Sequence, residues 1–111
     1  YGMEHKMVGY GSCGFELPEF TANRDKVVEN FVTKAKDLIK NKGADVIIPL
    51  GITQCPVHIK PDWLQKELGV PVVEGIGAPI RLAGMLASLG LTHSRNRWIK
   101  SPTFSQNPRY R

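Results

Sequence analysis

Cys55 closes the stretch PLGITQC, Pro49 to Cys55, which directly follows the apolar run ADVII. A thiolate is a strong nucleophile and a competent base once a helix N-terminus or a nearby cation lowers its pKa. The sequence offers both, a helix start near Pro61 and a cation at Lys60. The same residue has a structural reading as a small hydrophobe beneath the loop, because free cysteines are among the most buried residue types. Gly75 and Gly77, in EGIGAP, precede a helix whose first amides can face a carboxylate or carbonyl oxygen, although a tight turn into a helix explains these glycines equally well. The G-x-G lacks the third glycine of a dinucleotide fingerprint, and no P-loop lysine follows it, so no nucleotide cofactor is expected. His5, His58 and His93 do not stand at ligand spacing with Cys13 and Cys55, so no metal is expected either. Glu74 reads as a cap or salt-bridge partner rather than as a general base.

These residues need elements to position them. The segment TANRDKVVENFVTKAKDLIKNKG places Val27, Val28, Phe31, Val32, Ala35, Leu38 and Ile39 along one stripe of a helix. Thr21 or Asn23 can cap its start, and Gly43 ends it. ADVIIPL, continuously apolar and rich in β-branched residues, predicts a strand covered on both faces. PDWLQKELG predicts a short helix with Pro61 in its first turn, Asp62 near the positive end of the dipole and Gly69 as the stop. VPVV predicts a second buried strand, KMVGYG near the start another, and PIRLAGMLASLG a helix with Leu82, Met85, Leu86 and Leu89 on one face. This alternation predicts an α/β fold: an open parallel sheet with helices on both faces, flavodoxin-like in architecture. Ligands of such sheets bind beyond the carboxyl ends of the strands. That places GSCGFE, GITQCPVH and EGIGAP, and with them Cys13 and Cys55, in the loops that matter.

A chain of 111 residues, 41% hydrophobic and 23% charged, has the composition of one globular domain rather than a disordered tail. No apolar run approaches the length of a membrane span. Two cysteines and no signal segment argue against a disulfide scaffold and for a cytoplasmic protein. The net charge of +5 is confined to residues 95–111, because residues 1–94 carry ten Lys/Arg against ten Asp/Glu. That basic tail interleaves Trp98, Phe104 and Tyr110, a pattern compatible with nucleic acid. A nucleic-acid-binding domain more often spreads its basic face over folded elements, so a solvated or docking tail is expected and nucleic acid is not.

GADVIIPLGIT followed by LGVPVVEGIGAPIRLAGMLASLGLTHSR resembles the second lobe of the aspartate/glutamate/hydantoin racemase superfamily, its hydantoin and allantoin racemase branch above all. The resemblance covers residues 1–94 and rests on the order of motifs: an apolar strand ending Leu-Gly, a helix, Leu-Gly-Val-Pro-Val, an acidic-Gly turn and a Leu/Ala-rich helix. It implies one lobe of a longer two-lobe protein, or of a homo-oligomer, that acts on a small carboxylate or hydantoin-like substrate without a cofactor. It also implies an isomerase in which two cysteines, one per lobe, remove and return the α-proton on opposite faces. Gly51, Ile52 and Thr53 would then form the oxyanion-side loop, completed by Gly75, Ile76 and Gly77, with Cys55 as the catalytic thiol. The sequence departs from the family where the strand ends, since Ile52 stands where the family's cysteine follows Leu-Gly. This departure raises two alternatives, a small-metabolite-binding lobe without catalysis and a relative of the one-cysteine decarboxylases.

Overall fold

In the computed structural model, residues 2–92 are described. The chain divides into two units, Tyr1–Pro79 and Ile80–Arg111. The basic tail of residues 95–111 and His93 lie outside the described residues.

The first unit is organised by two helices. α1 spans Arg24–Lys42, with Asp25 in its first turn and Lys40 and Lys42 in its last, both favourable to the helix dipole. Asn23 occupies the N-cap position, but its side-chain amide donates back to the Glu19 carbonyl (3.1 Å) instead of capping the helix. At the other end Gly43 is left-handed (φ 70°), and the amide of Ala44 reaches back to the Leu38 carbonyl (3.1 Å), a closure that favours glycine. α2 spans Pro61–Leu68, starts on the proline and stops at Gly69, which is also left-handed (φ 72°). Both helices therefore begin and end close to where the sequence places them.

The inner faces of α1 and α2 meet. Ala35 of α1, Leu64 and Leu68 of α2, and Ala44, Ile47, Cys55 and Ile59 form the main core, with Phe31, Val32, Leu38 and Ile39 packed beside it. A smaller cluster of Cys13, Phe20 and Val27, joined by Phe15, holds the segment before α1 against that helix. Lys36 and Glu67 bridge the two helices outside the core, an exposed pair that contributes little.

The expected open parallel sheet, and with it the flavodoxin-like layering, is absent among the described residues. A single parallel bridge, Ile47 to Val72, stands in its place. It is made by the Ile47 amide to the Pro71 carbonyl and the Val73 amide to the Ile47 carbonyl, 3.0 Å each. In KMVGYG, Lys6 ends a single 3-10 turn and residues 7–11 pair with no strand among the described residues, with Met7, Val8 and Tyr10 exposed. Three physical reasons oppose a ladder here. Pro49 and Pro71 carry no N–H to donate, VPVV is short and stops at the Glu74 turn, and only one partner is aligned with each segment. ADVIIPL is also covered on one face rather than two. Ile47 and Pro49 point inward, whereas Ile48 and Leu50 are 62% and 91% exposed.

α3 spans Gly77–Ser88 and begins two residues before Pro79. Its C-terminal end closes through left-handed Gly90 (φ 69°), with the amide of Leu91 on the Leu86 carbonyl (2.9 Å). Leu82, Met85, Leu86 and Leu89, expected on one face of this helix, are exposed. No described helix is long and apolar enough to cross a membrane.

Candidate functional site

The stretch after Leu50 turns sharply. The Gly51 carbonyl accepts from the amides of both Gln54 and Cys55 (3.1 Å each), and the Gln54 carbonyl accepts from Ile59 (2.7 Å). Thr53–His58 is an irregular helical turn in which Cys55 itself is extended (φ −136°, ψ 123°), followed by a cis peptide to Pro56. The turn points the Cys55 side chain inward, where it is 0% exposed and packed in the main core. Burial, and secondarily the negative charge of Glu74, pushes its thiol up from 9.0 to about 11. A base or nucleophile needs the opposite shift. Cys55 in this conformation is a core residue, the structural alternative that its sequence also allowed.

Ile52, by contrast, is 54% exposed. Its Cγ2 methyl lies 3.1 Å from the point a Cβ on Gly75 would occupy, so the loops of residues 51–53 and 75–77 touch there, and glycine at 75 permits the approach. Glu74 fixes the second loop. One of its carboxylate oxygens accepts from the Ile76 amide (2.7 Å) and the other from the Gly77 amide (2.5 Å). Two of the amides that the sequence offered to a ligand oxyanion, those of Ile76 and Gly77, are thus occupied by the chain's own carboxylate, and Glu74 serves as the cap at the start of α3. The structure brings Gly51, Ile52, Gly75, Ile76 and Gly77 into one neighbourhood, with Thr53 beginning the adjoining turn, and directs Cys55 away into the core.

Sequence reasoning missed the side chain that ties the loop of residues 51–53 to the turn at Ser12–Gly14. Gln54 lies over Gly51 and its Nε2 donates to the Cys13 Sγ at 3.1 Å. Asn30 of α1 secures the same residue by donating to the Cys13 carbonyl (2.9 Å). The available signal was that Cys13 and Gln54 both fall in loops placed beyond predicted strand ends. Both cysteines are free thiols, and no His/Cys/Asp/Glu cluster fit to hold a metal exists among the described residues.

No known family profile matches the chain. Over 102 residues, 92% of its length, the chain is 26% identical to the hydantoin racemase of Pseudomonas sp. (strain NS671), covering 40% of that protein. The crystal structure of an allantoin racemase from Pseudomonas fluorescens superposes with a TM-score of 0.74 at 26% identity, covering 86% of this chain and 40% of that one. The chain thus resembles the hydantoin/allantoin racemase-like superfamily as a partial match, and it spans about 40% of the length of these relatives.

Proposed function

We propose that this chain is the second lobe of a racemase-type isomerase acting on amino-acid or hydantoin-like compounds by cofactor-independent α-proton transfer. The observation that carries this reading is the likeness to two racemases over nearly the whole chain. The contact between the loops of residues 51–53 and 75–77 supplies a place for substrate beside Ile52. In such a reaction a thiolate takes the α-proton, the electron pair moves into the adjacent carbonyl, and a thiol on the opposite face returns a proton. Ile52 can do neither, and Cys55 is buried and protonated, so the base must come from outside the described loops. The remaining lobe is the natural supplier, since a second copy of this chain would bring the same Ile52 and buried Cys55.

A second reading is favoured by the same two residues. With Ile52 apolar and Cys55 in the core, the lobe holds a small metabolite without turning it over. Exchange of the α-proton in D2O, followed by NMR on aspartate, glutamate, allantoin and 5-substituted hydantoins, separates the two. The racemase reading expects exchange of at least one substrate with Ile52→Cys, which restores a thiol at the family position. Ligand-induced shifts at residues 51–53 and 75–77 without exchange in either protein would support the binding reading. Neither shifts nor exchange would overturn both.

A further inference from the structure

A cleft of about 440 Å3 opens between the turn at Ser12–Gly14 and the flank of α1, lined by Ser12, Cys13, Asn30, Thr33, Lys34 and Asp37. It contains none of the residues of the 51–53 and 75–77 loops. We propose that this cleft is a separate binding site for a small carboxylate, with the Lys34 ammonium as its charge partner and the Cys13 thiol at its floor. The inference does not depend on the racemase reading.

Its geometry rests on four observations. Cys13 is only 5% exposed and packs with Phe20 and Val27, so the floor is anchored in a core cluster. Its sulfur accepts from Gln54 Nε2 (3.1 Å) and its carbonyl from Asn30 Nδ2 (2.9 Å), which tie the turn to the 51–54 loop and to α1. Ser12 Oγ accepts from the Gly14 amide (3.1 Å), leaving its own hydroxyl proton to donate. The stem of Lys34 lies over Gly11, with Cδ and Cγ 3.3 and 3.4 Å from where a Cβ would stand. Glycine there lets the lysine root pack on the backbone beside the cleft, with its amine free of any carboxylate among the described residues. The only acid in the lining, Asp37, is engaged by the Asn41 amide (2.7 Å). One cation, two hydroxyls and a thiol around this volume, with the Asp37 charge still in the lining, suit at most a small anion carrying a single carboxylate held at Lys34, and the size falls within the usual range of small-ligand sites.

The test compares two alkylating agents that differ in charge. In both, the Cys13 sulfur displaces iodide to form an S–C bond, the iodide leaves, and the thiol proton goes to solvent. Iodoacetate carries the carboxylate, and iodoacetamide is its neutral counterpart. Modification at Cys13 is followed by peptide mass spectrometry on the intact chain, with a free cysteine peptide as the reference. The expected result is a ratio of iodoacetate to iodoacetamide rates about tenfold above that of the peptide, the size of one favourable charge contact. Lys34→Gln should return the ratio to the peptide value while leaving the iodoacetamide rate unchanged. A wild-type ratio equal to the peptide's, a ratio unmoved by Lys34→Gln, or no reaction at Cys13 in the folded protein would each overturn the proposal.

Discussion

A thiol three residues from a solvent-exposed isoleucine behaves unlike one on the surface, and Cys55 shows why. Its side chain has exchanged water for Ala35, Ile47, Ile59 and Leu64, and a thiolate there would lose its hydration without gaining a cation. Glu74 adds a repulsive term. With the folded thiol at about 11 against an ordinary 9.0, its thiolate fraction at neutral pH is about 100-fold below that of a free cysteine. The folded state therefore holds a proton that the unfolded chain releases. The stabilisation from burying a neutral thiol is complete below pH 9 and is lost as pH rises to about 11, with a slope of at most about 1.4 kcal/mol per pH unit. Urea unfolding at pH 8 and pH 10.5 should show this loss in the wild type, and Cys55→Ala should remove that part of it. A wild type and a variant with identical pH dependence would mean that the sulfur reaches water. The sequence marked Cys55 as a candidate for both roles. Proximity to Lys60 along the chain could not decide between them, because the turn at Gly51 sets the direction of the side chain.

At the scale of elements, the helix ends were the most legible part of the chain. Gly43 and Gly69 stand at left-handed positions because their lack of a Cβ makes that conformation inexpensive. Nothing lies within 4 Å of a Cβ built at Gly43, so Gly43→Ala tests conformation alone. It should cost about 1 kcal/mol in denaturant unfolding, and a neutral result would mean that the α1 terminus rearranges freely. The start of α3 depends on a side chain rather than a backbone preference. Glu74 satisfies two amides that otherwise have no partner in the first turn, and its charge is well placed against the helix dipole. Glu74→Ala should cost about 1 kcal/mol and should speed hydrogen exchange at Ile76 and Gly77 while leaving α1 and α2 unchanged. Unaltered exchange at both amides would show that the cap is not formed in solution. Glu74 was recognisable as a capping residue, but the price of that role was not: the amides of Ile76 and Gly77 are no longer available to a ligand unless the carboxylate moves aside. The Gln54 to Cys13 contact was legible only in that both residues fall in loops beyond predicted strand ends. It joins residues 41 apart in sequence, and no local pattern reports a side chain crossing between loops.

Across the first unit, local preference and tertiary pairing part company. ADVIIPL and VPVV have the composition of strands, and the bridge between Ile47 and Val72 shows that they align side by side in parallel. Composition decides whether a segment can be extended, whereas a sheet requires neighbours on both sides and amides to donate to them. Pro49 and Pro71 remove two such donors, and KMVGYG runs without a partner among the described residues. The continuous apolar run therefore resolves into one covered face built on Ile47 and Pro49, while Val46, Ile48 and Leu50 face outward. The core is correspondingly formed by helix on helix, with α1 and α2 enclosing the Cys55 turn. This arrangement makes a prediction about amide exchange that a continuous sheet does not share. Ile47 and Val73 donate the two bridge hydrogen bonds, so their amides should exchange at least tenfold more slowly than those of Val46 and Ile48, a difference of about 1.4 kcal/mol in opening free energy. In a sheet with neighbours on both sides of ADVIIPL, the amides of Val46 and Ile48 would be engaged by the second neighbour and protected as well, as would alternate amides of KMVGYG. Residue-resolved exchange by NMR distinguishes the two outcomes. Protection confined to Ile47 and Val73 would confirm that a single bridge carries the pairing, and protection spread along all three segments would mean that in solution they assemble into more than this bridge.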